Sequence, residues 1–128
     1  MSWLLIVSAI AGFGSAIGHS YLSERFVLGP LLATPGDNRI WRNASNHRLM
    51  RAMWHLPSFA RAQIAAATLW VTFSPETLDA QAKAMLAFFG VGAYGMSAVI
   101  NALCMQRPHV GNILLSVAPL TLWFGLYG

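Results

Sequence analysis

The chain has 128 residues, of which 56% are hydrophobic and 9% charged, with a mean hydropathy of +0.54 and a formal net charge of +4. Soluble domains carry about 25% charged residues, and small folds leave much of their surface exposed. The composition therefore excludes an ordinary water-soluble domain and a disordered chain, and it indicates a lipid environment. The positive charge requires no nucleic-acid partner, because five of the eight basic residues fall within positions 25–51. The single cysteine, Cys104, excludes an internal disulfide.

Four stretches are long and apolar enough to cross a bilayer, which takes about 20 residues of helix for about 30 Å of hydrocarbon. They cover residues 3–22, 53–73, 84–104 and 110–127, and the second is interrupted by Arg61 and Gln63. The sequence therefore predicts a single all-α domain, an integral membrane four-helix bundle with up-down-up-down topology. Residues 23–52 form the long connection.

The charge of the connections predicts the orientation, since short cytoplasmic loops are enriched in Lys and Arg. The first connection, 23–52, holds five arginines, whereas 74–83 holds two acidic residues and one lysine. We therefore expect the first connection inside and both termini outside. A cleaved signal peptide is the alternative for the first stretch, but its lack of a positively charged start favours a retained helix.

Turn-forming residues divide the predicted elements. The run 33–38 (ATPGDN) splits the first connection into an amphipathic extension of the first helix and a basic segment that leads into the second. Ser74 and Pro75 have the residue types of a helix start, and Pro108 is placed to open the fourth helix.

Small and polar residues recur at helical spacing on three of the four stretches, which predicts faces turned toward protein. The three faces are Ser8, Gly12, Ser15 and His19; Gly90, Tyr94, Ser97, Asn101 and Cys104; and His109, Asn112, Ser116, Pro119 and Trp123. Close helix packing is the favoured explanation, and a ligand or transport path is the alternative.

Four polar residues share one depth near the cytoplasmic ends of the predicted helices: His19, His55, Asn101 and His109. Glu24 and Arg51 lie at the mouth of the same layer. Such a layer has groups that bind a metal, a haem iron, a quinone oxygen or a proton. A metal site would rest on His19 and His55 alone, because no H-x-x-x-H, H-E-x-x-H or C-x-x-C spacing occurs. The alternative is that these histidines are caps or headgroup-level residues that never meet.

Arg61 lies about two turns into the second stretch, with no carboxylate of the chain predicted at its depth. Either its stem extends toward the cytoplasmic face, or a lipid headgroup, an anionic ligand or another subunit supplies the negative charge. Nucleophilic catalysis has little support in the sequence. Cys104 is alone, and Ser20 diverges from the adjacent His19 by about 100° on a helix, with no orienting third group.

The run 19–25 (HSYLSER), followed by Trp54 and His55, resembles a group of small bacterial four-helix integral membrane proteins of unassigned function. These share an H-S-x-x-G-E-R run that precedes a W-H pair, and Ser23 here replaces the glycine. The resemblance covers the first half of the chain. It implies a bacterial inner-membrane protein in which His19, Glu24 and His55 are the positions of interest, and it implies no activity.

The function expected from the sequence is that of a non-catalytic accessory or structural subunit of a larger membrane complex. Its partners would be the lipid bilayer and other membrane subunits, or further copies of itself, with Arg61 and Arg51 as candidate contacts. One alternative is a small redox or ligand-binding protein that uses the histidine layer, with haem, a metal or a quinone as cofactor. A second alternative is a homo-oligomeric transporter or channel. No cofactor is expected under the first hypothesis.

Overall fold

A computed structural model describes residues 3–34, 43–105 and 109–128, and every regular element within them is helical. Helix α1 (Trp3–Ser23) continues through a π-helical turn (Glu24–Leu28) into the short α2 (Gly29–Ala33). Helix α3 (Ala44–Phe73) is followed by a 3₁₀ turn (Pro75–Thr77), α4 (Ala80–Met105) and α5 (Val110–Tyr127). The predicted all-helical class is confirmed.

Three continuous helical segments are long and apolar enough to cross a membrane. They are Trp3–Ala33, Ala80–Met105 and Val110–Tyr127. Helix α3 is not among them, although its 30 residues correspond to a length of about 45 Å. Its buried Arg61 and the arginines of its first turns lower its mean hydropathy, so the second span that the composition predicted is not confirmed.

The predicted connection, 23–52, contains the expected extension of the first helix, but it is shorter than predicted because α3 occupies its other end. The first helix continues to Ala33, and α3 begins at Ala44 instead of residue 53. Asn43 starts α3, with its side-chain oxygen accepting the backbone N–H of Ser45 at 2.9 Å. The arginines beyond it favour helix by their own propensity, so the basic segment continues the helix. Residues 35–38 of the predicted turn, 33–38, lie outside the described residues.

The predicted helix start at Ser74 and Pro75 was also wrong. Ser74 terminates α3 by donating its N–H to the carbonyl of Trp70 at 2.9 Å, and Pro75 opens only the 3₁₀ turn. The side chain of Asp79 caps α4 instead, accepting the N–H of Ala82 at 2.7 Å. Both Ser and Asp suit an N-cap, so residue type alone did not separate them. Pro108 lies outside the described residues.

Helix α1 is central, with α3 and α5 packed against it and α4 packed mainly against α5. Eight of the buried apolar residues form two clusters: Leu5, Ala87, Leu122 and Leu126, and Ala11, Tyr94, Leu115 and Ala118. Helix α4 buries only Ala87, Gly90 and Tyr94 of its 26 residues. Large apolar side chains such as Phe88 and Val110 point outward, as expected of a bundle surrounded by lipid.

The three predicted small-or-polar faces have different outcomes. The face on α1 is buried at Ser8, Gly12 and Ser15. On α5, however, Ser116 and Trp123 are exposed, and the buried face consists of Leu115, Ala118, Pro119, Leu122 and Leu126. Cys104, predicted on the inward face of α4, is exposed as well. Apolar side chains form the packed surface of α5, so polarity alone does not identify the protein-facing side in a lipid-soluble helix.

Candidate functional site

A polar stripe on α3 defines the main candidate site, and the sequence alone does not single it out. Its buried members occur at intervals of three or four residues and are Ser58, Arg61, Ala65, Thr68 and Thr72, with the half-buried His55 one turn before them. This spacing keeps one face of the helix along its length. Because α3 packs mainly on α1, the stripe brings polar groups into the interface between these two helices.

Two histidine–serine pairs join α1 and α3. His19 Nδ1 lies 2.9 Å from Ser58 Oγ, and His55 Nδ1 lies 2.9 Å from Ser20 Oγ. Each imidazole therefore meets a hydroxyl of the opposite helix. The structure thus places His19 and His55 in one interface, which the sequence left open, and each is engaged by a serine.

Glu24 extends the second pair into a chain of four side chains. Its Oε2 atom lies 3.5 Å from His55 Nε2, and its Oε1 atom lies 2.9 Å from a terminal nitrogen of Arg51. The side chains of Glu24 and Arg51 are 41% and 48% exposed, so this end of the site is open. Glu24 begins the π-helical turn, a distortion often found at functional sites, and its carbonyl accepts the N–H of Gly29.

Arg61 lies largely inside the bundle, although its terminal nitrogens are not fully buried. It is 4% exposed, and its Nε donates a hydrogen bond to the carbonyl of Pro57 at 3.0 Å. The Tyr94 hydroxyl donates to the carbonyl of Arg61 at 3.0 Å, which fixes the backbone there to α4. No carboxylate pairs with the guanidinium within the described part of the chain, and its terminal nitrogens have no hydrogen bond there.

The other predicted layer residues form a separate group at the α4–α5 connection. The side chain of Asn101 lies 3.1 Å from His109 Nε2 and 2.7 Å from the Asn112 side-chain oxygen. His109 Nδ1 accepts the N–H of Gly111 at 3.0 Å, so His109 acts as the N-cap of α5. Among the described residues, no hydrogen bond or ion pair links this group to His19, His55 or Glu24. The structure thus divides the predicted layer into two clusters.

The chemistry available between α1 and α3 is that of a base, a hydroxyl, a carboxylate and a buried cation. The described residues contain no group of three or more His, Cys, Asp or Glu side chains placed to hold a metal ion. Both histidines also present Nδ1 to a serine. The haem, metal and quinone hypotheses therefore gain no ligand set beyond the two imidazoles already visible in the sequence.

Ser20 and Ser58 do not stand out in the sequence. Ser20 diverges from its neighbour His19 on the same helix, and its partner is on α3 instead. The informative pattern is the combination of adjacent His19 and Ser20 with His55 and Ser58 one turn apart, because two helices packed side by side can exchange such partners.

Comparison with protein-family models, with curated proteins and with solved structures finds no match to this chain. The resemblance carried by residues 19–25, Trp54 and His55 stays a prediction. The site must therefore be interpreted from its own geometry.

Proposed function

We propose that this chain is an integral membrane protein that binds an amphiphile with an anionic group, a carboxylate or a phosphate, between α1 and α3. The observation that carries the proposal is the buried Arg61, which is 4% exposed and pairs with no carboxylate in the described residues. A cation removed from water costs several kcal/mol unless an opposite charge or a set of hydrogen bonds compensates it. One bond from Nε to a carbonyl satisfies one nitrogen, and the terminal nitrogens, which are not fully buried, are accessible to an anionic group.

A small anion explains Arg61 better than a neighbouring subunit does. The side chain lies inside this chain's own bundle, where Tyr94 also contacts its backbone, so a second protein would have to insert between the helices to reach it. A headgroup can enter where Arg51 and Glu24 leave the interface open. Large apolar side chains exposed on α3 nearby, Leu56 and Phe59, offer a surface for an acyl chain.

The test is binding of phosphatidic acid, measured by native mass spectrometry and by titration of the protein in neutral-lipid nanodiscs. We expect Arg61→Leu to weaken binding at least about 10-fold, because a charge-assisted hydrogen bond contributes about 1.5–3 kcal/mol. Arg61→Lys would retain part of the affinity. Arg48→Leu is the matched control, since Arg48 is exposed on the same helix. Equal affinity in the Arg61 and Arg48 variants would refute the proposal.

Competition identifies the part of the amphiphile that is bound. Displacement of phosphatidic acid by inorganic phosphate alone would assign the site to the free anion, whereas displacement only by another anionic lipid would assign it to the headgroup with its chain. A stability measurement separates ligand binding from a structural role. Replacing a largely buried charge by an apolar side chain removes the cost of taking that charge out of water. We therefore expect Arg61→Leu to unfold later than the parent while binding less.

A second candidate function is that of a membrane subunit, either in a larger complex or in a self-assembly, and the face of α4 favours it. Only Ala87, Gly90 and Tyr94 of that helix are buried, which leaves most of its length free to pack on another membrane protein. The native mass after mild detergent extraction tests this function. Other polypeptides at a fixed ratio would support a complex, multiples of this chain would support self-assembly, and a monomer would contradict both.

We also propose that the span formed by α3 completes a four-helix, multi-pass bundle in a bacterial inner membrane with both termini outside. The arginines of positions 25–51 support this orientation. In a Cys104→Ser background, single cysteines at Ser45 and at Glu76 should react with an impermeant maleimide from opposite sides of inverted and right-side-out vesicles. Reaction from the same side would contradict the topology.

A further inference from the structure

We propose that Ser20, His55 and Glu24 form a catalytic centre for acyl transfer, in which Ser20 is the nucleophile, His55 the general base and Glu24 the group that orients the imidazole. The substrate class is an ester of the anionic amphiphile, so this inference rests on the proposed function and adds a reaction to it. The arrangement is a hydroxyl, an imidazole and a carboxylate in series, with 2.9 Å between Ser20 Oγ and His55 Nδ1 and 3.5 Å between His55 Nε2 and Glu24 Oε2.

The Ser20 hydroxyl is engaged differently from four other hydroxyls within the helices. Hydroxyls in helices usually donate back to a carbonyl of the preceding turn, which satisfies them without any ligand. Four such bonds occur here, from Ser15 to Gly12, Thr68 to Ile64, Thr72 to Thr68 and Thr121 to Val117. Ser20 instead directs its oxygen to an imidazole nitrogen of another helix, which is the geometry by which a base activates a serine.

One neutral tautomer of His55 satisfies both of its contacts. With the proton on Nε2, the ring donates toward the Glu24 carboxylate and leaves Nδ1 free to accept the Ser20 proton. The roles of the two ring nitrogens are exchanged relative to serine proteases, but the series of groups is the same. The 3.5 Å contact to Glu24 is long for a hydrogen bond, as catalytic contacts often are without substrate.

The reaction balances with water as the only co-reactant. Ser20 Oγ attacks the carbonyl carbon of the ester as its proton passes to His55 Nδ1, and the same proton then leaves with the departing alcohol. Water, deprotonated by His55, attacks the acyl-serine, and the returned proton regenerates Ser20. The products are an acid and an alcohol, and no oxidation or reduction occurs. Glu24 holds the imidazolium that forms in each step.

The position of Arg61 limits the substrate. Arg61 follows His55 by six residues on α3, about 9 Å along the helix axis. A substrate whose anionic group binds Arg61 would therefore present its ester about that far away, at Ser20. Apolar residues exposed on both helices near the pair, Leu22 and Leu56, are consistent with an acyl chain that enters from the bilayer.

The second histidine–serine pair provides an internal control. Ser58 and His19 have the same 2.9 Å contact as Ser20 and His55, yet no carboxylate contacts His19 among the described residues. If helix packing alone explains such pairs, neither serine should be reactive. If the carboxylate completes a catalytic series, only Ser20 should be reactive.

The test is labelling by an alkyl fluorophosphonate, in which the serine oxygen displaces fluoride from phosphorus. The protein is labelled in nanodiscs, and the modified peptide is identified by mass spectrometry, which needs no variant. We expect adduct on Ser20, loss of labelling in Ser20→Ala and His55→Ala, and retention in Ser58→Ala. Absence of an adduct on Ser20, or equal labelling of Ser20 and Ser58, would overturn the inference.

Turnover provides a second measurement. We expect the full chain to hydrolyse p-nitrophenyl laurate, with at least about a 100-fold loss in His55→Ala, because general base catalysis contributes about 10²–10⁴-fold. Glu24→Gln should lower kcat more than it changes KM, and an unaffected kcat would overturn the role of Glu24. Phosphatidic acid binding, measured in Ser20→Ala as well as in the parent, separates the two proposals. If the proteins bind phosphatidic acid but the parent shows neither labelling nor hydrolysis, the acyl-transfer inference fails and only the proposed function stands.

Discussion

Helix α1 contacts α3 through polar side chains that could take part in a reaction, whereas it contacts α5 mainly through side chains that serve packing. Toward α3 it presents His19 and Ser20, which contact a serine and a histidine of that helix. Toward α5 it presents Ser8, which donates a hydrogen bond to the carbonyl of Ala118 at 2.8 Å, and Leu5, which lies against Gly125.

The difference between these two interfaces separates function from folding. In lipid, helices associate through close packing and a few satisfied polar contacts, and the α1–α5 and α4–α5 interfaces need nothing more. The α1–α3 interface contains a largely buried cation that pairs with no carboxylate among the described residues, and an imidazole between a serine and a glutamate. These features cost stability or add little to it, which is the pattern expected where a protein binds or transforms something.

The largest effect on stability is expected in the apolar interface. Leu122→Ala should lower the free energy of unfolding by about 3 kcal/mol, because Leu122 is fully buried in the cluster with Leu5, Ala87 and Leu126. The change in the free energy of unfolding is measured by reversible unfolding in mixed micelles. The control is Leu120→Ala, where the side chain is 59% exposed. A similar loss at both positions would contradict the assignment of the packed face of α5.

The next effect is expected where the two interfaces approach each other, at Gly12. A Cβ there would collide with the hydroxyl of Tyr94, so Gly12→Ala should cost about 2 kcal/mol. Gly18→Ala is the control, since a methyl group at that position would have no neighbouring side chain within 4 Å and alanine favours helix by about 1 kcal/mol. In thermal unfolding, stability changes of opposite sign in the two variants would support the prediction, and changes of the same sign would contradict it.

A smaller effect is expected at the polar bond from Ser8 on α1 to the carbonyl of Ala118 on α5. Ser8→Ala should cost about 0.6 kcal/mol, the average of side-chain hydrogen bonds between membrane helices. Ser116→Ala should be neutral, because Ser116 is exposed on the outer face of α5. A larger loss of stability in Ser116→Ala than in Ser8→Ala would instead support the inward polar face that the sequence predicted for α5. Unfolding of both variants in the same micelles gives the answer.

The smallest effect is expected at the open end of the polar interface. A double-mutant cycle of Glu24→Gln and Arg51→Gln should give a coupling of about 0.5 kcal/mol, since both side chains are more than 40% exposed. The coupling should fall as salt is raised. A coupling above about 2 kcal/mol would make the pair structural and remove the reason to assign Glu24 to chemistry.

Much of the fold followed from the sequence alone. Three of the four predicted spans correspond to helices apolar enough to cross a membrane, because mean hydropathy over about 20 residues needs no knowledge of neighbours. The end of α3 and the start of α4 did not follow from the sequence, because Ser74 and Asp79 are both residue types that cap helices well. The buried side of α5 did not follow from the sequence either, because apolar residues lie on all sides of that helix.

The site divides in the same way. The sequence by itself determined that His19, Glu24, Arg51 and His55 lie near one end of neighbouring helices, because turn counts fix depth along an axis. Only the tertiary structure decided that Ser20 and Ser58 are the partners of the two imidazoles, that Arg61 points inward, and that Asn101 and His109 belong to another cluster. These facts depend on the rotation and register of one helix against the next. This rotation depends on how all the helices pack together, so the sequence of one helix does not determine it.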